Sequence, residues 1–227
     1  MPELQNIYRK LLHHYGPRNW WPAETPFEVV IGAILTQNTN WNNVVKAISN
    51  LRQAGALTPT AILGLTTAEL ELLIRPSGFF RQKAERLQLF CHHLDNHHQG
   101  DMNSFLQQEL DLVREELLKL KGIGPETADS ILLYAGQRPS FVVDAYTGRL
   151  FSRLGLLNGN EKYDQIRALF MSRLDRNVQL YNEFHALIVI HCKDICRKKP
   201  LCSDCLLIDI CPYPKKILSQ ESKSLDS

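Results

Sequence analysis

The sequence predicts an all-α protein, and three observations carry that expectation. Apolar residues recur at the i, i+3, i+4, i+7 spacing of one helix face along almost the whole chain. No segment shows sustained period-two alternation bounded by hairpin signals. A capping box, Thr66-Thr67-Ala68-Glu69, marks one helix start outright.

Taken in order, Phe27, Val30, Ile31, Ile34 and Leu35 define a first helix, and Trp41, Val44, Val45 and Ile48 a second. The two are broken at Thr36-Gln37-Asn38-Thr39-Asn40. The capping box opens a short helix that ends before Pro76. Phe80, Ala84, Leu87 and Cys91 mark the next. Leu110, Val113, Leu117 and Leu120 then lead through a Gly-Ile-Gly turn to Ala128, Ile131, Leu132 and Ala135.

Length and composition bound the function classes. A chain of 227 residues is one large domain or two small lobes sharing a core. With 44% apolar and 22% charged residues it is neither disordered nor collagen-like. The formal charge of +2 neither demands nor excludes a polyanionic partner. The longest aliphatic stretch, residues 29–35, is far short of the roughly 20 residues a membrane span needs. The N-terminus shows no signal-peptide pattern, so the expectation is a cytoplasmic monomer, nucleoid-associated if bacterial. Residues 219–227 read as a polar, flexible tail.

Disulfides rarely persist in a reducing compartment, yet five of the six cysteines fall between residues 192 and 211. The run Cys196-x5-Cys202-x2-Cys205-x5-Cys211 supplies four thiolates, enough for one tetrahedral zinc or one iron-sulphur cubane. Cys192 rivals Cys196 as first ligand, while Cys91, on an apolar helix face, reads as a buried thiol. Between the first two ligands lie Arg197, Lys198 and Lys199. From residue 191 to 218 six basic side chains face three acidic ones, a local excess of +3 suited to phosphate contacts.

Two further stretches suggest chemistry. In Leu120-Lys121-Gly122-Ile123-Gly124-Pro125 two glycines bracket one aliphatic residue, so the turn can be tight and the second helix can start with bare amides, an anion site. Some 20 residues on, Phe141-Val142-Val143-Asp144 sets an acid at the edge of an apolar run, where it is costly unless paired or functional. Asp144 is either a catalytic carboxylate, a helix N-cap, or both.

These stretches, with Ile34-Leu35-Thr36-Gln37-Asn38-Thr39 and Ile74-Arg75-Pro76-Ser77-Gly78-Phe79-Phe80-Arg81-Gln82-Lys83-Ala84, resemble the helix-hairpin-helix DNA glycosylase superfamily over roughly residues 20–213. The resemblance implies a six-helix barrel at 25–138, with the hairpin at about 112–135, and an iron-sulphur lobe from 1–24 and 139–218. It implies double-stranded DNA containing a damaged base as partner, flipped into a cleft. By the same resemblance the hairpin with Gly122 and Gly124 grips a backbone phosphate, helped by a monovalent cation, and Asp144 faces the sugar; Lys121, just before the first glycine, reads as a phosphate contact or a solvent-exposed lysine. Gln37 and Phe79 match the positions that fill the gap left in the duplex; capping and burial are their plain alternatives. Cys196, Cys202, Cys205 and Cys211 would hold a 4Fe-4S cluster, although the family's first spacing is x6 where this chain has x5.

Endonuclease III-like members carry a lysine two residues after the hairpin's second glycine, where this chain has Glu126. The resemblance then implies a monofunctional glycosylase, since no amine is placed to form a Schiff base. The tandem Trp20-Trp21 and the Phe184-His185-Ala186 stretch are similar to the 3-methyladenine branch, which implies an alkylated purine as the excised base. Such cationic bases stack well on aromatic faces. Trp20 and Trp21 otherwise read as core, His185 as a hydrogen-bonded structural histidine, and Lys193 as a surface lysine. Two other readings stay open: a bifunctional lyase for damaged pyrimidines, and a DNA-binding module without catalysis.

Overall fold

In the computed structural model, which describes residues 3–18 and 20–215, helices are the only regular elements among the described residues. They are α1 (Leu4–Tyr15), α2 (Pro26–Leu35), α3 (Trp41–Gln53), α4 (Pro59–Gly64), α5 (Thr67–Ile74), α6 (Phe80–His98), α7 (Met102–Gln107), α8 (Leu110–Lys119), α9 (Pro125–Ser130), α10 (Ala145–Arg153), α11 (Tyr163–Arg173) and α12 (Val178–Asp194). None of the described helices is long and apolar enough to cross a membrane. Lys216 and the tail at 219–227 lie outside the described residues.

The chain divides into two units, residues 21–140 and residues 1–20 with 141–227. In the first, α2 is buried from Phe27 through Leu35, which makes it the central helix. Its start is fixed by Thr25, whose side chain accepts from the Glu28 amide, and by Pro26 in the first turn. The capping box of α5 closes in both directions between Thr66 and Glu69. That helix gives way to a 3-10 turn, Arg75–Ser77, at the expected proline. α9 runs on into a π-helical turn, Ile131–Ala135. Val45, placed on an inward face by its spacing, is 48% exposed.

In the second unit α1 and α10 pack on α12. Its core is aromatic: Phe141 stacks on Phe170 with ring centroids 4.2 Å apart, and Tyr181 and Phe184 meet Phe141 edge-on. Edge-to-face contacts of this kind contribute about 0.5–1.5 kcal/mol each beyond area burial.

Candidate active site

Asp144 ends the buried Phe141-Val142-Val143 run and caps α10. One carboxylate oxygen, Oδ1, accepts from the Thr147 amide at 2.7 Å and from the Thr147 hydroxyl at 2.9 Å. The other, Oδ2, lies 3.5 Å from Nε2 of the buried His185 on α12. Burial alone would raise the Asp144 pKa, but the hydrogen bond and charge of His185, with the Thr147 bonds, outweigh it and hold the value below the usual aspartate range. The capping and catalytic readings are thus compatible: one oxygen caps, and the second faces a histidine.

In the unit at 21–140 the hairpin joins α8 to α9. Gly122 has φ +83°, and a Cβ there would run into the Arg86 side chain. Ile123 is 5% exposed and plugs the core. No side chain caps the α9 N-terminus at Gly124. Arg114 on α8 forks onto Asp129 of α9 at 3.0 and 3.1 Å, fastening the two helices. Lys121 is exposed and pairs with Glu85 at 2.7 Å. Glu126 is exposed on the second position of α9.

Gln37 is tied to that hairpin. Its amide donates to the Gly122 carbonyl at 3.0 Å and to the Thr127 hydroxyl at 2.9 Å, and its oxygen accepts from Arg86. Phe79 is 61% exposed and sits at φ +47°, a left-handed conformation that aromatic residues rarely adopt. Lys83 was not singled out for a role by sequence reasoning. It is fully buried on α6, and its ammonium donates to the carbonyls of Leu35 and Ser77 at 2.8 and 2.7 Å. Those carbonyls immediately precede the segments carrying Gln37 and Phe79. Burial, with Arg86 nearby, pushes the Lys83 pKa down to about 8.

Trp21 belongs to the 21–140 unit and Trp20 to the other. The Trp21 ring lies 4.8 Å from Tyr134 at 33° and 5.1 Å from Trp41 at 81°, and it rests against α2 where Gly32 has no side chain. The buried indole nitrogens of Trp20 and Trp21 find no hydrogen-bond partner among the described residues. Lys193, Arg197, Lys198 and Lys199 are all exposed.

Cys196, Cys202, Cys205 and Cys211 line one recess that opens to solvent, with Leu150, Leu154, Ile195 and Leu207 among its apolar walls. Cys192 does not line it; its thiol faces the Tyr146 carbonyl at 3.6 Å. Two arginines on α10, unmarked by sequence reasoning, shape the loop. Arg149 donates to the carbonyls of Cys192 and Cys196, and Arg153 to those of Cys196, Arg197 and Lys198 and to the Cys196 sulphur at 3.2 Å. Their i, i+4 spacing on one helix face was the available signal. The Cys192 hydrogen bond, then Arg153, pull the Cys196 thiol down to about 6 against the effect of burial, whereas burial pushes Cys205 up to about 11.

A family profile described as HhH-GPD superfamily base excision DNA repair protein matches residues 31–176. A Methanocaldococcus jannaschii protein named as a DNA repair glycosylase is 49% identical over 210 residues, 92% of this chain and 95% of that protein. The endonuclease III of Thermotoga maritima is 28% identical, covering 94% of each chain. Among solved structures, the H. pylori 3-methyladenine DNA glycosylase bound to 1,N6-ethenoadenine superposes with TM-score 0.72 at 32% identity, covering 85% of this chain and 98% of that one. An endonuclease III–DNA complex superposes at TM-score 0.82 over 96% and 100% of the chains, and at 24% identity it speaks for the fold alone. The all-helical fold with its hairpin and buried carboxylate is that of a base excision DNA glycosylase, and the chain belongs to the HhH-GPD superfamily. It is a DNA N-glycosylase of that family.

Proposed function

We propose that the chain excises alkylated purines of the 3-methyladenine type and leaves the abasic site uncut. The observation that carries this reading is Asp144 held ionised beside His185 while Glu126 stands where a Schiff-base lysine would be required. In the reaction the N-glycosidic bond breaks, its electron pair leaves with the base, and positive charge develops on the sugar. A carboxylate held below the usual aspartate range is a weak proton acceptor but a good electrostatic partner for that charge. Asp144 thus acts first by stabilising the sugar cation, and water completes the hydrolysis. A cationic alkylated base needs little help in leaving, which suits a site with one ionised acid.

The remaining roles follow the same reading. Trp20 and Trp21 stack the extruded base, with His185 and Lys193 at its edge. Gln37 and Phe79 fill the duplex, Gln37 exchanging its internal bonds for bonds to the orphaned strand. The α9 N-terminus with Lys121, Gly122 and Gly124, and the loop Arg197-Lys198-Lys199, hold phosphates of double-stranded DNA. The turn at 120–124 carries no carboxylate, so a cation there would rest on backbone carbonyls, a donor set suited to a monovalent ion.

The residues of the recess fit a 4Fe-4S cluster held by Cys196, Cys202, Cys205 and Cys211. Four thiols line one apolar-walled recess, the all-cysteine donor set that such a cluster takes. The cluster would be structural, fixing the loop that carries the basic residues. A brown protein absorbing near ~400 nm is expected; a colourless protein with one zinc would remove the cluster.

The deciding experiment incubates the enzyme with methylated DNA and chromatographs the released bases. Free 3-methyladenine and no borohydride-trapped adduct are expected. A trapped adduct would favour a bifunctional lyase for damaged pyrimidines, and release of no base from any lesion a DNA-binding module.

A further inference from the structure

The C-terminal end of α6 and one side of α8 carry a cluster that base excision does not use. Nε2 of His93 and Nε2 of His98 lie 3.0 and 2.9 Å from the same oxygen, Oε2 of Glu116. One ligand atom from each of the three residues falls within a 4.8 Å span. All three side chains are largely buried, with 16%, 10% and 28% exposure for His93, His98 and Glu116.

Two neutral imidazoles and a carboxylate are the donor set of three-ligand zinc sites, with a fourth position left for water. With ligands about 2.0–2.1 Å from the ion, adjacent ligand atoms of a tetrahedral site stand about 3.3 Å apart. The two imidazole–carboxylate separations need to open by only a few tenths of an ångström, and the imidazole ligand atoms stand within 4.8 Å of each other. The rings are already oriented: His98 lies 4.8 Å from the Phe105 ring, and His93 meets the same ring edge-on at 6.1 Å. Nδ1 of His98 faces the Gln108 side-chain amide at 3.3 Å. The location helps as well, since the C-terminus of a helix carries partial negative charge that favours a cation. His97 at the same helix end has its ring 4.8 Å from His93 and is exposed.

We propose that His93, His98 and Glu116 form a transition-metal site for Zn2+, with water or His97 in the fourth position, fastening the end of α6 to α8. Imidazole and carboxylate donors select zinc over calcium or magnesium, which prefer all-oxygen shells.

The test titrates Zn2+ into tag-free, cluster-loaded protein against a competing chromophoric chelator. The wild type is expected to take up one equivalent that His93→Gln/His98→Gln lacks, and its melting temperature to rise by a few degrees with Zn2+ where the variant's does not. Glu116→Gln, which keeps the hydrogen bonds, is expected to weaken uptake tenfold or more. Equal uptake by wild type and the double variant overturns the site. Should the double variant fail to fold, an unchanged Zn2+ affinity in Glu116→Gln overturns it equally.

Discussion

Lys83 in one unit and Asp144 in the other are charges held largely out of water, and the two are satisfied differently. In the unit at 21–140, Lys83 is sealed among backbone carbonyls that cannot titrate and cannot turn away without unmaking a helix end. In the other unit, Asp144 is held by the Thr147 backbone amide and hydroxyl on one oxygen and faces the His185 imidazole with the other, and of these partners the imidazole can change protonation. A charge locked by main chain alone fixes geometry, whereas one with an oxygen facing an imidazole can respond to a charge arriving beside it. That contrast separates a scaffold residue from the one proposed to be catalytic.

The largest expected effect lies at the proposed catalytic residue. Asp144→Asn is expected to lower base release by about 10²–10⁴ in single-turnover assays, because the ionised carboxylate is lost. Its unfolding free energy is expected to fall by no more than about 1 kcal/mol, since asparagine also caps helices. The opposite pattern is expected of Lys83→Met: a loss of about 2 kcal/mol or more in urea unfolding, from two carbonyls left unpaired. A variant at 83 with full stability, or one at 144 that melts instead of losing rate, would break the comparison.

The two charges act in different pH windows but with the same sign, since stability rises with pH through each. The Asp144 pKa is depressed on folding, so its stabilisation is present above the ordinary value of 3.8 and is lost as pH falls through the lower folded value. For Lys83 the folded value of about 8 lies below the ordinary 10.5, so the unfolded chain binds the extra proton and stability rises across that window. Stability measured against pH, with Asp144→Asn and Lys83→Met as references, reads each contribution separately. The smallest effect is expected of Thr147→Val, about 1 kcal/mol from the loss of half the capping box, read by thermal unfolding.

Much of this was legible because it is local. The capping box of Thr66 and Glu69, the proline that ends α5 and the periodicity of α2 all concern residues a few positions apart, and the structure carries each as read. Asp144 stood out because an acid closing an apolar run demands a reason. What stayed hidden depends on partners distant in sequence. Lys83 reaches a carbonyl at Leu35 and Arg153 reaches one at Lys198, and no spacing rule links such pairs. Short helices such as α4 and α7 have too few residues to show a period. Cys192 stayed a rival to Cys196 although its spacing is worse, and it is the fold of the loop that lines the recess with Cys196 and not with Cys192.

Phe79 gives the backbone a different meaning. Its left-handed conformation costs about 1–2 kcal/mol for any residue with a Cβ, and glycine escapes that cost. Phe79→Gly would therefore give a hardier fold and, on the wedge role proposed for its ring, a poorer repair enzyme. On that proposal heat tolerance and repair pull against each other at this one position.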